Sequence, residues 1–198
     1  MDNNTEIKQK DLLSIVIIVE GMIFVFAVIW AYFSKINPFG KIYFDISDIF
    51  YSLLFGLIIL AINFFSINII SKYVYFFKKL KESYDDMSMI ANNVNLWGAL
   101  VIAIVSGFSE EFLFRGILQE QFGIIIASVF FGLFHIGNKK TFYYGIYAIF
   151  IGFLLGYFYL TTENLLVPII VHVLNNFLAL PYMRYYYRRY VKPAENKV

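Results

Sequence analysis

Two adjacent glutamates and an arginine lie inside a long apolar stretch of the sequence, within "SGFSEEFLFRGIL" at residues 106–118. A charge at the centre of a bilayer costs about 2.5 to 3.5 kcal/mol even on insertion scales, so these side chains require a partner or a function. Glu111 and Arg115 are four residues apart, so they share a helix face on which they can form an ion pair. Glu110 points about 100° away from Glu111 and has no obvious partner on its own helix.

Two further polar clusters interrupt later apolar stretches and contain both histidines of the chain. The first, "FGLFH", ends at His135, and the second, "HVLNN", begins at His172. His172 and Asn176 are four residues apart and present together from one helix face. Phe131 precedes His135 by one helical turn, so its ring could lie against the imidazole.

The three clusters fall at similar depths along their helices. Counted from the adjacent turns at about 1.5 Å per residue, Glu110 and His135 lie roughly 18 to 20 Å deep and His172 roughly 14 Å deep. We therefore expect one polar pocket in the bilayer, because lipid would not tolerate these groups singly. There a carboxylate and a histidine can orient and deprotonate a water molecule, while a second histidine and an amide stabilise the resulting oxyanion. These parts predict a hydrolase that needs no serine or cysteine nucleophile.

Two other chemistries remain open at this stage. A serine hydrolase could use Ser106 or Ser109, although no Ser/His/Asp order can be built from the sequence. Zinc could be held by Glu110, His135 and His172, a catalytic ligand set with an open position for water, although no HExxH spacing supports it. The chain has no cysteine, which excludes thiolate chemistry and cysteine-type metal sites.

Each polar group also has a structural interpretation. The pair Glu111–Arg115 can hold helices together, and an intramembrane histidine often makes only an interhelical hydrogen bond. Asn175 is interpreted as a packing or backbone-bonding residue. Four further carboxylates are interpreted as interface or loop groups, because nothing in the sequence pairs them with the central clusters: Glu20, Asp45, Asp48 and Glu163.

The composition places these clusters in an integral membrane protein. The chain has 198 residues, of which 60% are hydrophobic and only 15% charged, and its net charge of +2 gives no support for nucleic-acid binding. We predict an all-α fold, a polytopic transmembrane bundle of about six helices with a conical or central polar pocket in the last four. The apolar segments lie near residues 12–33, 47–71, 96–119, 122–137, 141–161 and 164–182, and the first is interpreted as a retained helix rather than a signal peptide.

Basic residues predict the orientation of the bundle. Thirteen Lys and Arg residues fall in loops and tails on one side, whereas the other side has only Lys35 and Lys41, so we expect both termini in the cytoplasm. The connector 72–95 is predicted as either an interfacial helix or a solvated loop. We divide the chain into two N-terminal helices with their connector (1–95), a four-helix core (96–182) and a basic C-terminal tail (183–198).

The three clusters resemble the motifs of the CPBP family, the CAAX proteases and bacteriocin-processing enzymes, also called the Abi family of intramembrane proteases. "EEFLFR" is similar to its EExxxR motif, "FGLFH" to FxxxH, and "HVLNN" to HxxxN, in the same order along the chain. The resemblance covers residues 96–182 and implies a membrane-embedded endopeptidase on an all-helical fold.

The resemblance also implies a role for each motif residue. Glu110 and His135 would activate the water, and His172 and Asn176 would form the oxyanion hole. The ion pair of Glu111 and Arg115 would shape and hold the site. The family was long labelled metalloprotease, but a metal-free glutamate mechanism fits a site with only two imidazoles. We therefore favour no cofactor and keep zinc as the alternative.

The substrate is predicted only by class. The resemblance implies a hydrophobic or lipidated peptide or protein, either prenylated and CAAX-type or of the leader or bacteriocin type, at a prokaryotic plasma membrane whose lipids surround the site. A second hypothesis is a non-catalytic bacteriocin-immunity or scaffold protein on the same bundle. A third, a small transporter with a proton relay, is disfavoured because the sequence shows no inverted repeat.

Overall fold

The computed structural model describes residues 9–195, and every regular element within them is helical. Lys8 and Lys197 of the charge count lie outside the described residues. The α-helices are α1 (Gln9–Ser34), α2 (Ile46–Asn68), α3 (Tyr75–Ala91), α4 (Leu96–Leu113), α5 (Glu120–Phe134), α6 (Phe142–Thr162), α7 (Leu166–Tyr186) and α8 (Lys192–Glu195). Short 3₁₀-helices cover Pro38–Lys41, Ile70–Lys72 and Lys139–Thr141, and π-helices cover Phe114–Gln119 and Tyr187–Val191.

Six long apolar helices (α1, α2 and α4 to α7) correspond to the six predicted segments, which confirms the all-α bundle. Five stretches of the described chain are long and apolar enough to cross a membrane, because α4, its π-helix and α5 form one stretch of 39 residues. The chain reverses within that stretch at Gly123, whose φ of +83° suits glycine. The ring of Phe134 thereby returns to 5.5 Å from that of Phe114.

The connector between the second and third apolar segments is helical, so the predicted helix is confirmed and the solvated loop is wrong. Helix α3 buries one face, and its polar face is joined to the 3₁₀-helix before α6 by an ion pair of 3.3 Å between Lys140 Nζ and Asp86 Oδ2. The hydroxyl of Ser83 also donates to the backbone carbonyl of Lys140. That α3 lies at a membrane interface stays a prediction.

Helices α4 to α7 approach closely where glycines face neighbouring helices. A Cβ added at Gly107 of α4 would lie 2.7 Å from Cγ2 of Val173 on α7. A Cβ at Gly132 of α5 would lie 2.6 Å from the carbonyl oxygen of Gly145 on α6. Small residues at such contacts allow the backbones to touch, as is common in membrane bundles.

Three of the four carboxylates that were predicted as interface or loop groups lie at helix ends. Asp45 caps α2 by accepting hydrogen bonds from the amides of Ser47 and Asp48, and Asp48 follows in the first turn. Glu163 ends α6 in a left-handed conformation. Glu20 differs from them, because it is buried within α1.

Candidate active site

The three polar clusters come together from α4, α5 and α7, as the depth count predicts. His135 Nε2 lies 3.7 Å from Glu110 Oε2, and His172 Nδ1 lies 2.7 Å from Glu111 Oε1. Asn176, one turn after His172, donates to the hydroxyl of Ser106 on α4 at 3.1 Å. The two glutamates therefore face different partners, each supplied by another helix.

Glu111 is held in a fully buried ionic cluster. Glu111 and Arg115 are 0% and 1% exposed, and Nη1 of the arginine donates to Oε1 of the glutamate at 3.0 Å, which is the predicted ion pair. The same Oε1 lies against His172, while Nη2 of Arg115 donates to the carbonyl of Gly152 on α6 at 2.9 Å. The guanidinium also lies over the ring of Phe131, with its Cζ 4.4 Å from the centroid.

A π-helix begins immediately after α4 and contains Arg115. One turn after the arginine, Nε2 of Gln119 donates to the carbonyl of Gly156 at 2.9 Å, so two side chains fasten this segment to successive turns of α6. A Cβ at Gly156 would lie 2.5 Å from Oε1 of Gln119, which explains the glycine. Single π turns frequently occur at functional sites, and this one follows the two glutamates directly.

Glu110 and His135 form a second, more open arrangement. The Nδ1 atom of His135 lies 2.7 Å from the carbonyl oxygen of Phe131, which can only accept, so Nδ1 carries a hydrogen and Nε2 faces Glu110. The Oε2 atom of Glu110 is buried, and within residues 9–195 it has no hydrogen-bond partner. As predicted, Phe131 stands against the imidazole, with ring centroids 4.7 Å apart.

His135 is not inside α5, although the predicted segment ran to residue 137. It follows the last helical residue as the C-cap, and its backbone amide bonds to the carbonyl of Gly132. Three residues further on, Asn138 caps the next short helix by accepting from the amides of Lys140 and Thr141. The imidazole thus lies at a helix end, where its tautomer is fixed by the last turn of α5.

Glu20 on α1 belongs to the site, and the prediction that it has no link with the central clusters is wrong. Its side chain is only 8% exposed, and its carboxyl group lies within hydrogen-bonding reach of that of Glu110. A lone carboxylate in an apolar span was the only sign in the sequence that Glu20 could belong to a polar site. Its partner could not be found from the sequence, because spacing within one helix does not show which helix packs against it.

Asn176 lies at the end of a chain of side-chain hydrogen bonds across three helices. Asn63 on α2 donates to Asn175 at 2.7 Å, and Asn175 donates to Oδ1 of Asn176 at 3.2 Å. The hydroxyl of Tyr147 on α6 donates to Asn63 at 2.8 Å. Asn175 was predicted to pack or to bond to the backbone; within residues 9–195 its side-chain hydrogen bonds are to other side chains, and it orients the neighbouring amide. Asn63 and Tyr147 were missed because they belong to no motif.

An apolar cavity of about 430 Å³ lies beside these residues. His135, His172 and Asn176 line one part of its wall, and α2 and α3 supply apolar residues, so the cavity extends beyond the last four helices. Glu110 is not among the described residues that line the cavity. Its carboxyl group reaches the cavity wall through His135, which does line it.

The serine and zinc alternatives receive no geometric support from residues 9–195. The hydroxyl of Ser106 donates to the carbonyl of Ile102 at 2.8 Å, and neither histidine is hydrogen-bonded to a serine in this part of the chain. Within the same residues no three His, Asp or Glu side chains are grouped so that they could hold a metal ion.

The fold and the site define a polytopic helical membrane protein with a polar centre beside an apolar cavity. Residues 92–178 match the sequence model of the family described as "Type II CAAX prenyl endopeptidase Rce1-like". The matched segment is similar to the family that the three motifs predict, and it contains every motif residue from Glu110 to Asn176.

The chain is also similar to a protein of Bacillus subtilis (strain 168) named "Uncharacterized protein YpbD". The two are 37% identical over 73 residues, which cover 37% of this chain and 39% of that relative. The similarity thus spans less than half of either protein. No solved structure matches the chain significantly.

Proposed function

We propose that the chain is an intramembrane endopeptidase that hydrolyses a peptide bond in a membrane-associated peptide with a water molecule activated by Glu110. The observation that carries this proposal is the geometry of Glu110 and His135. A buried carboxylate oxygen without a partner faces an imidazole nitrogen at 3.7 Å, beside a cavity whose lining includes His172 and Asn176. That separation is too long for a direct hydrogen bond and suits a bridging water.

The mechanism follows from the hydrogen positions. A water between the two residues donates one hydrogen to Oε2 of Glu110 and the other to Nε2 of His135, which leaves an oxygen lone pair for the peptide carbonyl carbon. As the new C–O bond forms, Glu110 takes a proton, and it then passes this proton to the amide nitrogen as the C–N bond breaks. The products are a carboxylic acid and an amine.

Two donors are available for the oxyanion of the tetrahedral intermediate. The side-chain amide of Asn176 is held by Ser106 and Asn175 and has a second N–H. His172 has its Nδ1 engaged with Glu111, so its Nε2 can donate only from the imidazolium form. The Glu111 carboxylate at 2.7 Å stabilises that cation, which gives the buried ionic cluster a part in catalysis.

We further propose a metal-free reaction, a hydrophobic or lipidated substrate and both termini in the cytoplasm of a prokaryotic cell. The first proposal is supported by the grouping of the possible ligands, because within residues 9–195 no three His, Asp or Glu side chains are placed so that they could hold a metal ion. The apolar lining of the cavity supports the second. The excess of basic residues on one side supports the orientation.

The test is cleavage of a mixed library of hydrophobic, prenylated and leader-type peptides by the purified chain in detergent. The wild type is compared with Glu110→Gln, and Glu82→Gln on the exposed face of α3 serves as the matched control. We expect cleavage by the wild type and the control, with and without a strong chelator, and none by Glu110→Gln. Loss on chelation with recovery on zinc addition would contradict the metal-free mechanism.

A non-catalytic immunity or scaffold protein is the second candidate, and the buried ionic cluster favours it. Glu111, Arg115 and Gly152 join two helices whether or not chemistry occurs. For a scaffold, Glu110→Gln should alter neither folding nor partner binding, and the wild type should cleave no peptide in the library.

A further inference from the structure

Glu20 is placed against α4 by a packed face of α1. The buried residues of this helix are Glu20, Ala27 and Ala31, which recur at spacings that keep them on one side. One turn after Glu20, the ring of Phe24 packs at 5.2 Å from that of Phe112 on α4. The position of the carboxyl therefore follows from helix packing as well as from its own contact with Glu110.

The contact requires a hydrogen between two carboxyl groups. The side chains of Glu20 and Glu110 lie within hydrogen-bonding reach of each other, and each has a buried carboxyl oxygen without a partner within residues 9–195. Ionisation of both carboxyl groups at such close range is strongly disfavoured, so one shared proton is expected. If Glu110 is the base that accepts a proton from water, it must be the ionised member. The hydrogen then belongs to Glu20, which donates to Glu110.

We propose that Glu20 is a positioning residue, whose protonated carboxyl donates a hydrogen bond to Glu110 and holds its carboxylate toward His135. This inference rests on the proposed function of Glu110. It gives α1, which lies outside the matched segment 92–178, a part in the reaction. Glu20 touches neither water nor substrate in this arrangement and acts only through Glu110.

The test separates hydrogen-bond donation from packing by comparing two variants of similar size. Glu20→Leu removes the donor, and we expect kcat to fall about tenfold to hundredfold with KM little changed, because a slightly misplaced base slows chemistry more than binding. Glu20→Gln retains an N–H donor and should recover most of that loss. Ile18→Ala, on the exposed side of α1, is the control for changes in this helix.

Wild-type kcat in Glu20→Leu, or a Glu20→Gln variant as slow as Glu20→Leu, would overturn the proposal. An infrared measurement tests the pair without activity: we expect the carbonyl band of a protonated carboxyl at neutral pH in the wild type and its loss in Glu20→Gln. An unchanged band would also overturn the proposal. Absence of cleavage by the wild type would instead count against the proposed function, while the band still decides whether Glu20 carries the proton.

Discussion

Glu110 and Glu111 are neighbours in the sequence and have opposite surroundings in the structure. Oε1 of Glu111 is bound by Arg115 and His172 in a fully buried cluster. Both glutamates have an Oε2 atom without a hydrogen-bond partner within residues 9–195, but only that of Glu110 faces an imidazole, at 3.7 Å from Nε2 of His135. A helix turns adjacent side chains about 100° apart, so one carboxylate can hold helices together while the next faces His135.

The largest expected effect is on kcat, and together with the melting temperature it should distinguish Glu110 from Glu111. Glu110→Gln should lower kcat by about 10² to 10⁴-fold, the usual contribution of a positioned general base, with an unchanged melting temperature. Glu111→Gln should lower the melting temperature as well, because it weakens the bonds to Arg115 and His172. Parallel measurements of kcat and thermal unfolding in detergent check the comparison, and equal destabilisation by both variants would contradict it.

The second effect concerns stability. Arg115→Ala leaves Glu111 as a buried charge without its partner and should reduce the free energy of unfolding by about 3 to 5 kcal/mol. Arg115→Lys keeps the charge but cannot reach both Glu111 and Gly152 in the same geometry, so it should lie between the wild type and Arg115→Ala. Denaturant titration of the purified variants measures both. Near-wild-type stability of Arg115→Ala would show that the cluster does not hold the helices.

The third effect tests the oxyanion site through another pair of neighbours. Asn176→Ala removes a proposed donor and should lower kcat by about 10² to 10³-fold. Asn175→Ala removes only the side chain that orients the amide of Asn176, so its effect on kcat should be smaller. Steady-state kinetics of the two variants decides the order, and the reverse order would assign the donor to Asn175.

Spacing within a helix explains how much of the site could be predicted. The pairs Glu111–Arg115 and His172–Asn176 follow from residues four apart, and the meeting of Glu110 with His135 follows from their depth. The contacts of Glu20 and Asn63 could not be predicted, because they depend on how α1 and α2 are rotated against the other helices. The division of the chain into three parts stays a prediction.

The π-helix after α4 also could not be predicted from the sequence, for a related reason. Its pattern of residues suits an α-helix equally well, and the segment 96–119 was predicted as one helix. The side chains that fasten it, Arg115 and Gln119, bond to backbone carbonyls of α6, so its geometry is stabilised by a tertiary contact. Local propensity carries no information about such a contact.

The smallest effect concerns another carboxyl group with an unpartnered oxygen, on α3 outside the spans. Burial raises the pKa of Asp85 above its ordinary value, and its Oδ1 has no hydrogen-bond partner in the described part of the chain. Because the folded-state pKa is raised, the charged form costs stability above that pKa, and the cost disappears as the pH falls through it.

Asp85→Asn should therefore raise the melting temperature slightly at neutral pH, with a difference from wild type that shrinks in acid, and leave kcat unchanged. Melting temperatures of Asp85→Asn and wild type, measured from neutral to acidic pH, check that the difference shrinks. A fall in kcat would show that Asp85 takes part in the reaction or in positioning the site.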